Sequence, residues 1–420
     1  MTYQPLNLGR WIIWGSAALL FAAAPHLFPG GFALTMLTQM GVMILFALSY
    51  NMLLGQGGML SFGHAVYSGL GAYVTVHALN QIGAGTFYLP VPLLPLVGGI
   101  AGLAFGLLFG YVTTKRAGTT FALISLGIGE MVFACVLMFP DFFGGEAGIS
   151  TNRVVGQPIL GFSFGPAIQV YYLVALWCFV SMAAMFALTQ TPLGRMANAV
   201  RDNPERAEFV GYNTRHVRFL QLVLSSFFAG VSGALSCINF EIVSAENVSA
   251  IRSGGVLLAT FIGGVPFFFG PIIGAIVFIF FVVALSGFTK AWLLYLGLFF
   301  VLIVVYAPGG IASLILMQFP VIRAGRWREL LAPYALAALA GLVALAGVIG
   351  LVEMVYRLSD QGVSTVRQLL GMSFDARSAP PWIAFGAILA AGLASLSAAA
   401  RRVGARWGAI QLELQSKAAA

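Results

Sequence analysis

The chain predicts an all-α, polytopic transmembrane bundle, and three observations carry that class. Hydrophobic residues occupy 60% of the 420 positions, and charged residues only 8%. Apolar runs of about 20 residues, the length that crosses a bilayer core, recur from end to end. These runs are continuous and rich in Gly, Ala and Leu, whereas an outer-membrane barrel needs short strands that alternate apolar and polar with period two.

Taken in order, the apolar windows place spans at 11 to 28, 33 to 54, 61 to 80, 90 to 114, 119 to 139, 169 to 188, 219 to 240, 253 to 269, 271 to 289, 291 to 306, 331 to 353 and 381 to 400, or about 10 to 12 crossings. The first run carries Pro25, His26 and Pro29 where a signal peptide needs a small-residue cleavage site, so it is expected to remain as a helix. The stretches 61 to 80 and 253 to 269 are short and glycine-heavy. One contains Ser61, His64 and Ser68, the other opens on Ser253, Gly254 and Gly255, and each reads as a broken or re-entrant helix. Gly98, Gly99, Gly102, Gly106 and Gly110 recur at three- and four-residue spacing and read as one helix-contact face, because small residues let helices approach closely in lipid.

A net charge of +8 raises the question of nucleic acid. With the N-terminus inside, however, the parity of the spans brings Arg10, Lys115 with Arg116, the 191–218 loop, Arg323/Arg326/Arg328 and Arg401/Arg402/Arg406 to the cytoplasmic face, and both termini with them. The basic residues therefore encode orientation in the membrane, and no nucleic-acid partner is expected. Cys135, Cys178 and Cys237 lie inside apolar runs without paired spacing, so neither a disulfide framework nor a metal site is expected.

The loop from Thr191 to Arg218 holds five arginines and three carboxylates. Within it, Asn203 can cap a helix whose first turn contains Pro204, with Glu205 near the positive end of the dipole and Gly211 as its stop. A short helix along the cytoplasmic surface follows, suited to meeting a soluble partner.

Glu205-x-Ala207-x-x-x-Gly211, the basic stretch to Arg218, and the small-residue run Ala229-Gly230-Val231-Ser232-Gly233-Ala234-Leu235 together resemble the coupling loop of ABC importer permeases. Further blocks extend the likeness over residues 35 to 316: Asn51-Met52-Leu53-Leu54-Gly55-Gln56-Gly57-Gly58-Met59-Leu60-Ser61-Phe62-Gly63-His64-Ala65, then Gly144-Gly145-Glu146-Ala147-Gly148-Ile149, Gly270-Pro271-Ile272-Ile273-Gly274-Ala275 and Ala307-Pro308-Gly309-Gly310. In this order they are similar to the branched-chain amino acid permease family, in its LivM-type branch. Arg206 departs from the pattern, standing where many members have a small residue.

The resemblance implies a bacterial inner-membrane subunit paired with a second related permease, two cytoplasmic ATPases and a periplasmic binding protein, all in contact with membrane lipid. It implies that the ATPases use the ATP and that this chain binds no cofactor and has no catalytic residues. The sequence holds no G-x-x-x-x-G-K-[ST] phosphate loop, which agrees. By the same resemblance, Gly194, Arg195, Arg201, Glu205, Ala207, Glu208 and Gly211 are the ATPase-coupling candidates, and residues 1–318 form the permease core.

Asn51, Gly57, Gly58, Ser61, His64 and Glu130 are the translocation-path candidates. Glu130 sits near the middle of its span, where an uncompensated carboxylate costs roughly 2.5–3.5 kcal/mol on insertion scales, so it is expected to face the bundle interior, be protonated, or be paired. A role in the pathway and a buried structural hydrogen bond both fit it. His64, flanked by Phe62, Gly63 and Ala65, reads more readily as a satisfied core histidine than as a proton relay.

From Phe319 the composition shifts, and residues 319–420 read as a C-terminal extension in which two Ala-rich spans form an accessory hairpin. The loop between them, Ser359 to Phe374, has Val363, Val366, Leu369 and Leu370 at spacings that predict a short amphipathic helix at the periplasmic interface. The leading functional expectation is a permease subunit of an ATP-driven importer for branched-chain amino acids or a related small polar solute. The alternative is an ion-coupled secondary transporter in which Glu130 or His64 titrates.

Overall fold

The computed structural model describes residues 8–86, 88–155, 161–359, 366–369, 372–375 and 377–419. The chain runs through α1 (Leu8–Leu27), α2 (Gly31–Asn51), α3 (Ala65–Gly83), α4 (Leu94–Thr113), α5 (Gly118–Met138), α6 (Pro140–Phe143), α7 (Ala167–Gln190), α8 (Pro192–Asp202), α9 (Pro204–Phe209), α10 (Thr214–Phe240), α11 (Ala250–Gly263), α12 (Gly270–Ile279), α13 (Trp292–Tyr306), α14 (Gly310–Arg323), α15 (Arg328–Ser359) and α16 (Ala379–Ala419). Among the described residues, eight helical stretches are long and apolar enough to cross a membrane, or up to nine with the bent pair α13–α14. The all-α bundle stands, with fewer full crossings than the apolar windows suggest.

The shortfall has a physical cause. α11 has 14 residues and spans about 21 Å at 1.5 Å per residue, less than a bilayer core. It folds back on α12 through residues 264–269, and Gly263, Gly264, Gly270 and Gly274 bring the two backbones together where no Cβ fits. α14 was not anticipated from hydropathy, because Pro308, Gly309 and Gly310 break the apolar run and Gly310 adopts φ +70°.

The chain divides into two compact units, residues 1–288 with 296–313, and residues 289–295 with 314–420. In the first, α10 is the central helix, almost wholly buried and packed on α2, α3 and α4. The predicted glycine face of α4 is what makes that packing possible. Gly98 abuts the carbonyl of Gly230, Gly102 that of Ser226, and Gly106 the side chain of Ser226, while Gly99 receives the rings and methyls of Phe227 and Val231. Backbone-to-backbone contact of this kind maximises dispersion where water exclusion contributes nothing.

Beyond the C-terminal ends of α5 and α10, two-residue strands β1 (Ile149–Ser150) and β2 (Ile242–Val243) pair antiparallel, with Ile149 opposite Val243. Gly144, Gly145 and Gly148 all have positive φ, which explains why that loop is built from glycine. Arg153 clasps the same end. Its guanidinium donates to the carbonyls of Phe164 (2.8 Å), Asn239 (3.2 Å) and Gly165 (3.0 Å) and pairs with Glu241 at 3.6 Å.

In the second unit, α15 and α16 form a close antiparallel hairpin, with Gly347 and Gly392 against Leu389 and Ala344. Arg326 holds Glu329 at 2.7 Å and also bonds Glu413. The expected amphipathic helix between the two is corrected by the structure: β3 (Val366–Leu369) and β4 (Met372–Asp375) pair as an antiparallel hairpin. Val366 and Leu369 stand three apart, the spacing of a helical face, and the cross-strand ladder overrides that local pattern. Val363 and Leu370 lie outside the described residues.

Candidate functional site

The glycine-rich block is where α2 comes apart. After Asn51 the helix widens into a five-residue π turn, Met52–Gln56, and Gly58 at φ +65° ends it. Leu60 to Gly63 then runs non-helical inside the protein, so its polar groups need partners from other helices. Ser125 of α5 accepts from the Phe62 amide at 3.0 Å, and Gly63 lies against the Ser125 carbonyl where a Cβ could not fit. Ser253 of α11 accepts from the Ala65 amide at 3.0 Å, supplying the N-terminal cap that α3 lacks locally. Tyr50 donates to the Ser61 carbonyl at 3.0 Å.

From the other side, α10 holds α2 by donating to its backbone. Gln221 reaches the Met52 carbonyl at 2.8 Å, Ser225 that of Ser49 at 2.6 Å, and Ser232 that of Val42 at 2.9 Å. A hydrophobicity scan reads these residues as neutral, so sequence reasoning did not single them out.

His64 is fully buried, stacked on Phe46 at 5.6 Å and edge-on to Tyr50 and Tyr67. Its Nε2 lies 3.1 Å from the Ser49 hydroxyl. That hydroxyl has one proton and gives it to the Phe46 carbonyl at 2.7 Å, so Nε2 is the donor. Nδ1 is left as a bare acceptor without a partner among the described residues, as are the buried hydroxyls of Ser61 and Ser68. The histidine is a core residue, then, but an incompletely satisfied one.

The charged loop folds into two capped helices. Thr191 accepts from the Gly194 amide at 3.3 Å and opens α8, Asn203 accepts from the Arg206 amide at 2.9 Å and opens α9, and Asn213 accepts from the His216 amide at 3.1 Å and opens α10. Proline follows the first two caps directly, the arrangement favoured at a helix start. Gly211 takes φ +93° after α9, as the stop predicted there requires. Helix α8 was missed, although Thr191-Pro192 carries the same signal as Asn203-Pro204.

Ala197 and Val200 of α8, Ala207 of α9 and Val217 of α10 form a small buried core. Gly194 is buried where any Cβ would strike the Leu188 carbonyl. Arg195, Glu205, Arg206 and Glu208 are exposed, with Glu208 accepting from Thr214 at 2.7 Å. Phe209 is 91% exposed and Val210 71%, an apolar tip on an otherwise charged element.

Arg201 connects the two halves of the site. It pairs with Asp202 at 2.8 Å and also donates to the Gly55 carbonyl in the π turn, while its Cγ lies where a Cβ on Gly58 would come within 2.7 Å. Asn51, Gly57 and Gly58 thus lie beside the coupling candidates. Gly57 is buried, and a Cβ there would meet the Leu53 carbonyl at 2.8 Å.

Glu130 does not join them. It lies exposed on the outer face of α5, in line with Leu123, Gly127 and Ala134, with no partner among the described residues. Of the three expected outcomes, an inward position, protonation or pairing, the structure corrects the first: Val132, Gly129, Ser125 and Phe121 hold the inner face, and 3.6 residues per turn carries position 130 to the opposite side.

A family model described as branched-chain amino acid transport system / permease component matches residues 32–307. The chain belongs to that family. This permease is 28% identical over 291 residues to the high-affinity branched-chain amino acid transport system permease protein LivM of Escherichia coli strain K12, covering 64% of this chain and 67% of the relative. Against LivM of Salmonella typhimurium the identity is 27% over 295 residues, covering 65% and 68%. The probable branched-chain amino acid transport permease protein LivH of Methanocaldococcus jannaschii is 25% identical over 217 residues, covering 51% and 67%. No solved structure matches the chain. It is a multi-pass membrane permease component, and the family match ends at residue 307, before the α15–α16 hairpin.

Proposed function

We propose that this permease is the membrane subunit of an ATP-driven importer that translocates branched-chain amino acids or a related small polar solute. In this reading a periplasmic protein delivers the solute, two ATPases bind at α8–α9 on the cytoplasmic side, and the chain itself binds no nucleotide. One observation carries the proposal: Arg201 ties the doubly capped α8–α9 element to the carbonyl of Gly55, where α2 is already broken. A capped helix moves as a unit, and a π turn with glycines is where a membrane helix yields. Motion imposed on α8 by a closing ATPase would reach the Asn51–His64 segment through the packing of Arg201 on Gly55 and Gly58.

The exposed tip Phe209–Val210, beside Glu205 and Arg206, suits a groove on a soluble partner. The outward Glu130 points to a second permease: lipid would charge roughly 2.5–3.5 kcal/mol for the carboxylate, a cost removed if a partner or a water-filled path between the two covers that face.

The test is ATP-driven uptake of radiolabelled L-leucine into proteoliposomes holding the co-purified complex. The double variant Glu205→Ala/Gly211→Val is expected to insert normally and lose about tenfold or more of its uptake, equivalent to about 1.4 kcal/mol of lost coupling. Undiminished uptake in that variant would sink the proposal. Uptake that persists without ATP and collapses with a protonophore would favour the ion-coupled alternative.

A further inference from the structure

A cavity of about 260 Å³ opens at the α8 end of α2 and α7. Its polar wall is Asn51, Gln56, Thr189, Gln190, Asn198 and Arg201, and Phe186 and Phe268 stand edge to face at 5.3 Å on its apolar side. Sites for drug-sized ligands run from about 300 to 1,000 Å³, so this one suits a single small solute.

Thr189 donates to the Phe186 carbonyl at 2.7 Å and accepts from Gln190 at 2.9 Å, while other polar groups of the wall are less fully used. Asn51 is 2% exposed, its amide nitrogen reaches the Phe267 carbonyl only at 3.5 Å, and its Oδ1 has no partner among the described residues. That oxygen packs against Gly55 and is closed to a solute in the cavity, so the groups available to one are those of Gln56, Asn198 and Arg201. Gln56 and Asn198 make no side-chain hydrogen bond among the described residues, and Arg201 commits Nε to Asp202 and one terminal nitrogen to Gly55. The set therefore combines two amides able to give or accept and a cation, beside an aromatic wall. An inorganic anion would use the cation and an amide N–H and leave the amide oxygens unmatched. A zwitterion matches both: its ammonium to an amide oxygen of Gln56 or Asn198, its carboxylate to Arg201 and an amide N–H, its aliphatic side chain to Phe186 and Phe268.

We propose that this cavity is a cytoplasm-side site for a small amino acid, and that its occupancy restrains the coupling element. The inference rests on the importer reading above and adds a brake to it. A carboxylate bound at Arg201 holds α8 beside Gly55, so solute accumulated inside opposes the α8 movement that turnover needs; by linkage, a ligand that prefers one arrangement shifts the equilibrium toward it.

The experiment loads proteoliposomes of the whole complex with graded L-leucine and reads the initial rate of ATP-driven uptake. Internal leucine is expected to inhibit, whereas internal isocaproate, lacking the ammonium, and isoamylamine, lacking the carboxylate, do not. Replacing two polar walls in Gln56→Leu/Asn198→Leu should raise the half-inhibitory leucine concentration by about tenfold or more. Absence of internal inhibition, or inhibition unchanged in the double variant, overturns the site while normal uptake into empty vesicles leaves the importer reading intact. If empty vesicles show no uptake, the importer reading fails instead, and calorimetry with L-leucine on the purified full chain decides the cavity: binding lost in the double variant supports it, and no binding to the unaltered chain overturns it.

Discussion

The contact between α4 and α10 and the segment from Gly55 to Gly63 both depend on glycine, and they use it to opposite ends. In the first, Gly98, Gly102 and Gly230 remove side chains so that two helices, unbroken through the contact, meet at their backbones. In the second, Gly57, Gly58 and Gly63 permit a helix to stop being one, and the freed groups are taken up by Ser125, Ser253 and Gln221 from three other helices. The first arrangement is rigid because nothing in it has an alternative partner. The second is held by single side-chain hydrogen bonds and retains open acceptors at His64 and Asn51. In a membrane, where an unsatisfied backbone group costs several kcal/mol, such a segment is tolerated where the protein itself surrounds it.

Three substitutions break or sharpen that contrast. The largest effect is expected for Gly102→Leu, because a side chain there meets the Ser226 carbonyl and the Gly230 backbone. Overpacking typically costs about 1–3 kcal/mol and more where backbones must separate. Little monodisperse protein should survive detergent extraction and size-exclusion chromatography, and a normal elution profile would show that the α4–α10 contact is not the rigid one. Gly58→Ala comes next. It imposes left-handed strain of about 1–2 kcal/mol and crowds Arg201, so helicity and yield should hold while uptake falls roughly tenfold. Loss of folding instead would erase the distinction between the two segments. The smallest effect belongs to Gly297→Ala on α13, where a Cβ meets nothing within 4 Å. Uptake should be unchanged and thermal stability equal or higher by about 0.5–1 kcal/mol, read from a melting curve in detergent.

Much of the fold was legible because the signals are local. Asn203 with Pro204 and Gly211 marks a helix start and stop through backbone geometry that no distant residue alters, and the structure holds both. The glycine spacing on α4 announced a contact face, though not that α10 would fill it. Where the reading failed, a local pattern was overridden or the answer lay outside the chain segment. Val366 and Leu369 have the spacing of a helical face, and pairing with Met372 to Asp375 imposed a strand instead. For Glu130 the energetic argument left three outcomes, an inward position, protonation or pairing, and the rotation of α5 about its axis removed the first by turning it outward.

Composition, apolar run length and capping residues by themselves determined the membrane-helical class, the charged element between α7 and α10, and its start and stop positions. These depend on transfer free energies and on neighbours a few residues away, which any sequence displays. Only the tertiary structure decided that Arg201 meets Gly55 across 146 residues, that Ser253 caps a helix 188 residues earlier, and that Asn51 and Asn198 share one cavity. Such contacts arise from how helices rotate and approach once their small residues interlock, and no residue's own chemistry specifies its partner at that distance.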